Sequence, residues 1–177
     1  MEVRRQQGGG VMAFGLVQLG LAASSLGDAT MSYEIVDWLA NNYWFPSMMT
    51  SHDPRNIFNA DLCGGLPAII IKMLVYSQPG MIELLPVLPK EWPKGKIEGA
   101  PCRGQVLVKS LAWNPNSITV TLQSAKKQEV NLKVPGGIVS IKVTERQASI
   151  SKPKTEDGSR IISLPAEREV TFEIITR

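Results

Sequence analysis

The chain has 177 residues, is 44% hydrophobic and 20% charged, and carries a formal net charge of +3, enough to bury a core in one or two domains. That charge is uneven: up to Leu85 there are 4 Lys and Arg against 7 Asp and Glu, and from Pro86 onward 15 against 9, without the basic–aromatic run or motif of a nucleic-acid binder. One histidine, His52, and two cysteines outside any C-x-x-C spacing exclude a multi-histidine metal site and a disulfide framework, and no cofactor is expected.

Arg4-Arg5 followed by the uncharged stretch Val11–Leu26 superficially looks like a secretory leader. Gly8-Gly9-Gly10 separates the two, and Gly15, Gln18 and Gly20 interrupt the apolar run. Val11–Leu26 is therefore expected to be a helix of the folded domain. Gly27 reads as its stop and Asp28 as the N-cap of the next helix. No stretch is long and apolar enough for a helical membrane span.

The second helix is expected from about Ala29 to Asn41, with Tyr33, Ile35, Val36, Trp38 and Leu39 inside. A loop follows, Tyr43-Trp44-Phe45-Pro46-Ser47-Met48-Met49. Its three aromatics suit either a hydrophobic plug or a platform stacking on the C–H faces of a sugar. The plug is the simpler reading. Trp44 is the aromatic retained as a candidate substrate contact.

Asn56–Pro67 then places Asp61 in a loop running into Gly64-Gly65 and a third, strongly apolar helix. Pro67 suits the first turn of that helix, which is expected to run through Tyr76 and stop before Pro79-Gly80, although its β-branched run would also suit a buried strand. His52, in Ser51-His52-Asp53-Pro54, is close enough in sequence to share the cleft of Asp61, although a turn histidine with no catalytic task is the simpler reading. The first helix carries no charge and the third only Lys72, and helices apolar all round must be covered all round. Three helices cannot enclose two such members, so this half is expected to be a slice of a larger helical assembly.

Met81–Pro89 is punctuated by prolines, which exclude it from a central strand. Beyond it the period is two. Val106 and Val108, Ile118, Val120 and Leu122, Val130, Leu132 and Val134, Ile141 and Val143, and Val170, Phe172 and Ile174 alternate with polar or lesser apolar residues. Turns fall at Asn114-Pro115-Asn116, Ala125-Lys126-Lys127, Pro135-Gly136-Gly137 and Glu156-Asp157-Gly158. Such spacing predicts an antiparallel sandwich. It holds no acid pair, nucleophile motif or phosphate loop, and Arg103 suits an ion pair with a carboxylate between the halves better than substrate binding. Two domains are expected, residues 1–80 and 81–177.

The series Asn56-x-Phe58-x-x-Asp61-x-x-x-Gly65, then Met73-Leu74-x-x-Ser77, then Ile82-x-Leu84-Leu85-Pro86-x-Leu88-Pro89-x-x-Trp92-x-x-Gly95-x-Ile97-x-Gly99-x-x-x-Arg103-Gly104, resembles the carboxy-terminal part of glycoside hydrolase family 95. That family contains α-L-fucosidases and α-L-galactosidases. The resemblance implies an α+β fold: the last helices of an (α/α)6 toroid, followed by a β-sandwich. It also implies inversion at an α-linked, fucose-like sugar, a reaction needing a carboxylic acid at the leaving oxygen and a base for water on the opposite face. In the family the acid is a glutamate and the base is assisted by asparagines, all from earlier segments, while an aspartate in Phe-x-x-Asp raises the basicity of the water-activating group.

Asp61 matches that aspartate. Asn59, Ala60, Leu62, Cys63 and Gly64 stand where the pattern has Gln, Ile, Gly, Asn and Phe, and Cys63 lacks the two donors and one acceptor of an amide. Asp61 is therefore the candidate catalytic residue, and His52, Trp44 and Asn59 are the candidate substrate contacts, nominated from their place in the chain. The implied partners are an α-linked fucose- or galactose-like carbohydrate and the amino-terminal remainder of the enzyme, or a self-associated copy. Full-length relatives are expected to be secreted or periplasmic. Three readings follow: a terminal fragment of a fucosidase-like hydrolase, inactive alone; a carbohydrate-binding module; or a structural protein assembling through its helices.

Overall fold

The computed structural model describes residues 12–145, 148–151 and 157–176. The Arg4-Arg5 and Gly8–Gly10 runs, Val11 and Glu156 lie outside the described residues. Two compact units divide between Leu74 and Val75.

The first unit holds helices α1 (Ala13–Ser25), α2 (Ala29–Asn42) and α3 (Asp61–Leu74), and a small hairpin, β1 (Ser51–Asp53) with β2 (Asn56–Phe58). Gly27 ends α1 with φ +76°, and the Asp28 carboxylate accepts the Met31 N–H at 2.9 Å to cap α2, as expected of that pair. Ile35, Val36 and Leu39 of α2 are buried. Tyr33 and Trp38 are only half-buried, and with Glu34, Asp37 and Asn42 they line an open recess of about 450 Å³. Both had been expected inside.

The third helix starts six residues earlier than expected and ends two sooner. Pro67 lies within α3. The reason is local: the Asn59 side-chain oxygen accepts the Asp61 N–H at 2.5 Å, and Cys63 N–H reaches Ala60 O at 3.1 Å. The helix is thus nucleated a turn and a half ahead of the proline. Asp61 is its first residue, and Gly64-Gly65 is helical. Gly65 is where α3 crosses α1: a β-carbon there would lie 2.4 Å from a Val17 methyl. Leu62, Leu66, Ile69 and Met73 form the buried stripe of α3, which meets Leu16, Val17 and Ile35 in the core of this unit.

The second unit is built of two five-stranded sheets. One has the order β10 (Ile150–Ser151), β11 (Arg160–Leu164), β8 (Gln128–Lys133), β4 (Met81–Leu84), β3 (Val75–Gln78). The other has the order β5 (Gly95–Cys102), β6 (Val106–Asn114), β7 (Ser117–Ser124), β12 (Glu169–Thr176), β9 (Ile138–Glu145). Val106, Val108, Ile118, Val120, Leu122, Val170, Phe172 and Ile174 from the second sheet are buried, as are Ile82, Leu84, Val130, Leu132, Ile162 and Leu164 from the first. The protein is α+β with a β-sandwich, as the alternation predicted.

Three details differ. β4 lies between β8 and β3 in the interior of its sheet; the prolines that argued against this, Pro86 and Pro89, come after the strand ends. β4 also pairs parallel with β8, so the sandwich is not wholly antiparallel. Arg103 has no carboxylate partner among the described residues, and its backbone N–H donates to Ser77 Oγ at 2.9 Å.

The turn into β11 carries a pH-sensitive contact. Asp157 accepts the Ser159 hydroxyl and the Ser159 N–H (3.1 Å), and its other oxygen meets Lys133 Nζ at 3.1 Å. These donors hold its carboxyl down at about 2, from an ordinary 3.8. A carboxyl lowered in the folded state stabilises above the unfolded value and loses that contribution as pH falls through the folded one. Denaturation midpoints should therefore fall between about pH 3.8 and 2. In Asp157→Asn that portion of the fall should be missing, which circular dichroism across the pH series would check.

Candidate functional site

The four sequence-nominated residues all belong to the first unit, and three of them form one hydrogen-bonded group. His52 comes from β1, Asn59 follows β2, and Asp61 opens α3. Asn59 Nδ2 donates to Asp61 Oδ2 at 3.0 Å and faces His52 Nδ1 at 3.3 Å. Asn59 Oδ1 accepts the Asp61 N–H. The asparagine amide is the hub, touching a carboxylate, an imidazole and a backbone donor at once.

The hub is fixed from beneath by Thr50, which is fully buried. Its carbonyl accepts Asn59 N–H at 3.0 Å, its hydroxyl donates to Asn59 O, and the same hydroxyl lies 3.4 Å from Cys63 Sγ. Ser51, also buried, accepts the Arg55 N–H at 3.2 Å in the hairpin turn. That turn has Pro54 followed by Arg55 at φ +54°, the Pro-then-positive-φ order of a type II turn. Ile57 holds φ +55°, an unusual and strained conformation for a β-branched residue. Ile57 and Phe58 each remain 62% exposed, so the hairpin presents apolar side chains beside the polar group.

Trp44 is half-buried and forms an antiparallel bridge with Thr50. It is one bridge removed from the hub, and its side chain joins none of the described hydrogen bonds. Its neighbour Tyr43 is wholly buried and packs edge-on against Trp38 with ring centres 6.5 Å apart. Burial, with a smaller contribution from Asp53, pushes the Tyr43 phenol up to about 12. Tyr43 therefore acts as the plug that seats this loop.

Asp61 is exposed, and its Oδ1 has no partner among the described residues. It sits in the first turn of α3, where unpaired backbone N–H groups favour negative charge. The arrangement suits an acceptor for a donor group arriving from solvent. Among the described residues no group of three or more His, Cys, Asp or Glu is placed to hold a metal ion, and no helix is long and apolar enough to cross a membrane. Thr50 is the participant that sequence reasoning missed; in sequence it is one threonine after Met48-Met49, and only its folded contacts with Asn59, Cys63 and Trp44 reveal it.

A family model for the glycoside hydrolase family 95 C-terminal domain matches residues 76–174. The match starts two residues past the end of α3 and covers the two-sheet unit; the His52–Asn59–Asp61 group lies before it. No curated protein matches the chain.

Proposed function

The chain belongs to glycoside hydrolase family 95, carrying its C-terminal domain, and from that premise we propose that residues 1–177 are the terminal part of an inverting, α-L-fucosidase-like hydrolase. In this reading Met12–Leu74 supplies the last helices of an (α/α)6 toroid, and Asp61 is one member of the catalytic set. The observation carrying the proposal is the exposed Asp61 carboxylate at the start of α3, held by Asn59, which in turn faces His52.

Inversion requires two groups on opposite faces of the sugar. Asp61 is suited to the water side. Its Oδ2 is held by Asn59, and its Oδ1 is left to polarise a water-activating amide or water from another part of the enzyme. Asn59 and His52 would orient sugar hydroxyls, with Trp44 bordering the same pocket. The general acid has no counterpart in this group, so residues 1–177 alone are expected to be inactive.

Apolar exposure supports the incomplete-toroid reading. α1 has no charged residue, yet Phe14 is 54% exposed; Ile57, Phe58, Met48 and Ile71 are also uncovered. Apolar surface left open in this way ordinarily marks an interaction face. The reading is tested by the stereochemistry of the completed enzyme. With an aryl α-L-fucoside, proton NMR should show β-L-fucose first. Initial release of α-L-fucose would contradict the assignment.

A further inference from the structure

The hydrogen bonds around Asn59 dictate which imidazole nitrogen of His52 carries the proton. An amide side chain has one end that accepts and one that donates, and only its partners reveal which is which. Here the choice is forced. Asp61 N–H can only donate, so the atom facing it at 2.5 Å is the oxygen, Oδ1. The opposite end is then Nδ2, and it has two hydrogens for two neighbours. One goes to Asp61 Oδ2 at 3.0 Å and the other points to His52 Nδ1 at 3.3 Å. Nδ1 must accept, and a neutral imidazole that accepts at Nδ1 carries its hydrogen on Nε2.

We propose that His52 is a positioning residue held by Asn59 as the Nε2–H tautomer, so that it offers one donor to an acceptor oxygen of the bound saccharide. This rests on the function proposed above. The chain runs from the Asp61 carboxylate through the Asn59 amide to the imidazole, and the Nε2 end has no partner among the described residues. Thr50 makes the device rigid, since it clamps the Asn59 backbone through both its carbonyl and its hydroxyl. A hydroxyl oxygen of a sugar suits such a donor, because an ordinary hydroxyl has two acceptor lone pairs.

His52 is the one histidine in the chain, so the tautomer can be read without assignment. Long-range proton–nitrogen NMR of the whole chain, at a pH where the ring is neutral, should show Nδ1 as the unprotonated nitrogen and Nε2 as the protonated one. Asn59→Asp replaces the donor with an acceptor and should move the proton to Nδ1. Asn59→Ala should give the mixed signature of an unconstrained ring. A wild-type ring protonated on Nδ1, or already mixed, would overturn the inference, as would a signature unchanged in both variants. Circular dichroism of each variant shows whether it is folded, and the wild-type spectrum stands as a test even where a variant is not. No sugar enters these measurements, so a wrong tautomer overturns this inference alone. An enzyme with the expected tautomer but indifferent to loss of Asp61 would instead overturn the functional reading.

Discussion

Asp61→Asn is expected to lower kcat of the completed enzyme on an aryl α-L-fucoside by roughly 10²- to 10⁴-fold, the usual range for loss of one positioned acid–base participant. The substitution nearly preserves shape. It removes the negative charge that the proposed mechanism sets beside the water-activating group and turns one oxygen into a donor. Where the new NH2 replaces Oδ2, it would confront Asn59 Nδ2, now 3.0 Å away; where it replaces Oδ1, it would turn a donor toward the side proposed to face the reacting water. Either orientation spoils the acceptor. Folding should be spared, because Asp61 is exposed and the Asn59 bond to the backbone N–H remains. The expected pattern is a fall in kcat with a KM changed by much less. An equal rise in KM with kcat intact would make Asp61 a binding group only.

Gly65→Ala should destabilise the helical unit by about 1–3 kcal/mol, the range for forcing atoms into a packed core. Two effects oppose each other. Alanine improves helix propensity by about 1 kcal/mol. Against it, the added carbon would lie 2.4 Å and 2.7 Å from the two methyls of Val17 and 3.1 Å from its Cβ. A valine on a helix has essentially one side-chain rotamer, so it cannot turn aside, and the helices must separate. Sterics win. The same crossing is tight at Gly20, where an added carbon would meet Ile69 Cδ1 at 2.7 Å. Relief should come from Val17→Ala in the same chain: the double variant should recover most of the loss of Gly65→Ala, a coupling that a double-mutant cycle measures directly. For a unit of this size each kcal/mol corresponds to about 4–8 °C in Tm. Additive single losses would mean that Val17 and Gly65 do not meet.

How much of this was legible in sequence follows from how local each determinant is. The buried faces of β6, β7, β8 and β12 were readable because strand burial repeats every second residue, and Val120, Leu122, Leu132 and Phe172 are all fully or almost fully buried. β11 was not, because its five residues, Arg160–Leu164, show too little alternation to stand out. β4 was misplaced because its sheet position depends on β8, about fifty residues later, and no local pattern carries that pairing. The start of α3 was misplaced for the opposite reason. Proline at a first turn is a good local rule, but a stronger local contact, Asn59 to the Asp61 N–H, started the helix earlier.

The hydrogen-bonded group of His52, Asn59 and Asp61 lies within ten residues, so those three could be nominated together from sequence, whereas Thr50 could not. The wiring of the group was not legible. That Asn59 sits between the other two depends on the turn at Pro54-Arg55, on the left-handed backbone at Ile57, and on Thr50 closing from below. The Tyr43-Trp44-Phe45 run divides similarly: sequence shows three aromatics, while the fold buries Tyr43 completely and leaves Trp44 and Phe45 half-exposed.

The most direct test of the central claim, that this chain supplies one catalytic carboxylate to a larger hydrolase, is complementation. The amino-terminal region of the enzyme, produced separately, is titrated with residues 1–177 while release of the aryl alcohol from an α-L-fucoside is followed. The account predicts little turnover from either piece, activity that saturates at one chain per partner, and loss of that activity when the added chain carries Asp61→Asn. Full activity from the amino-terminal region alone, or undiminished activity with the Asp61→Asn chain, would contradict it.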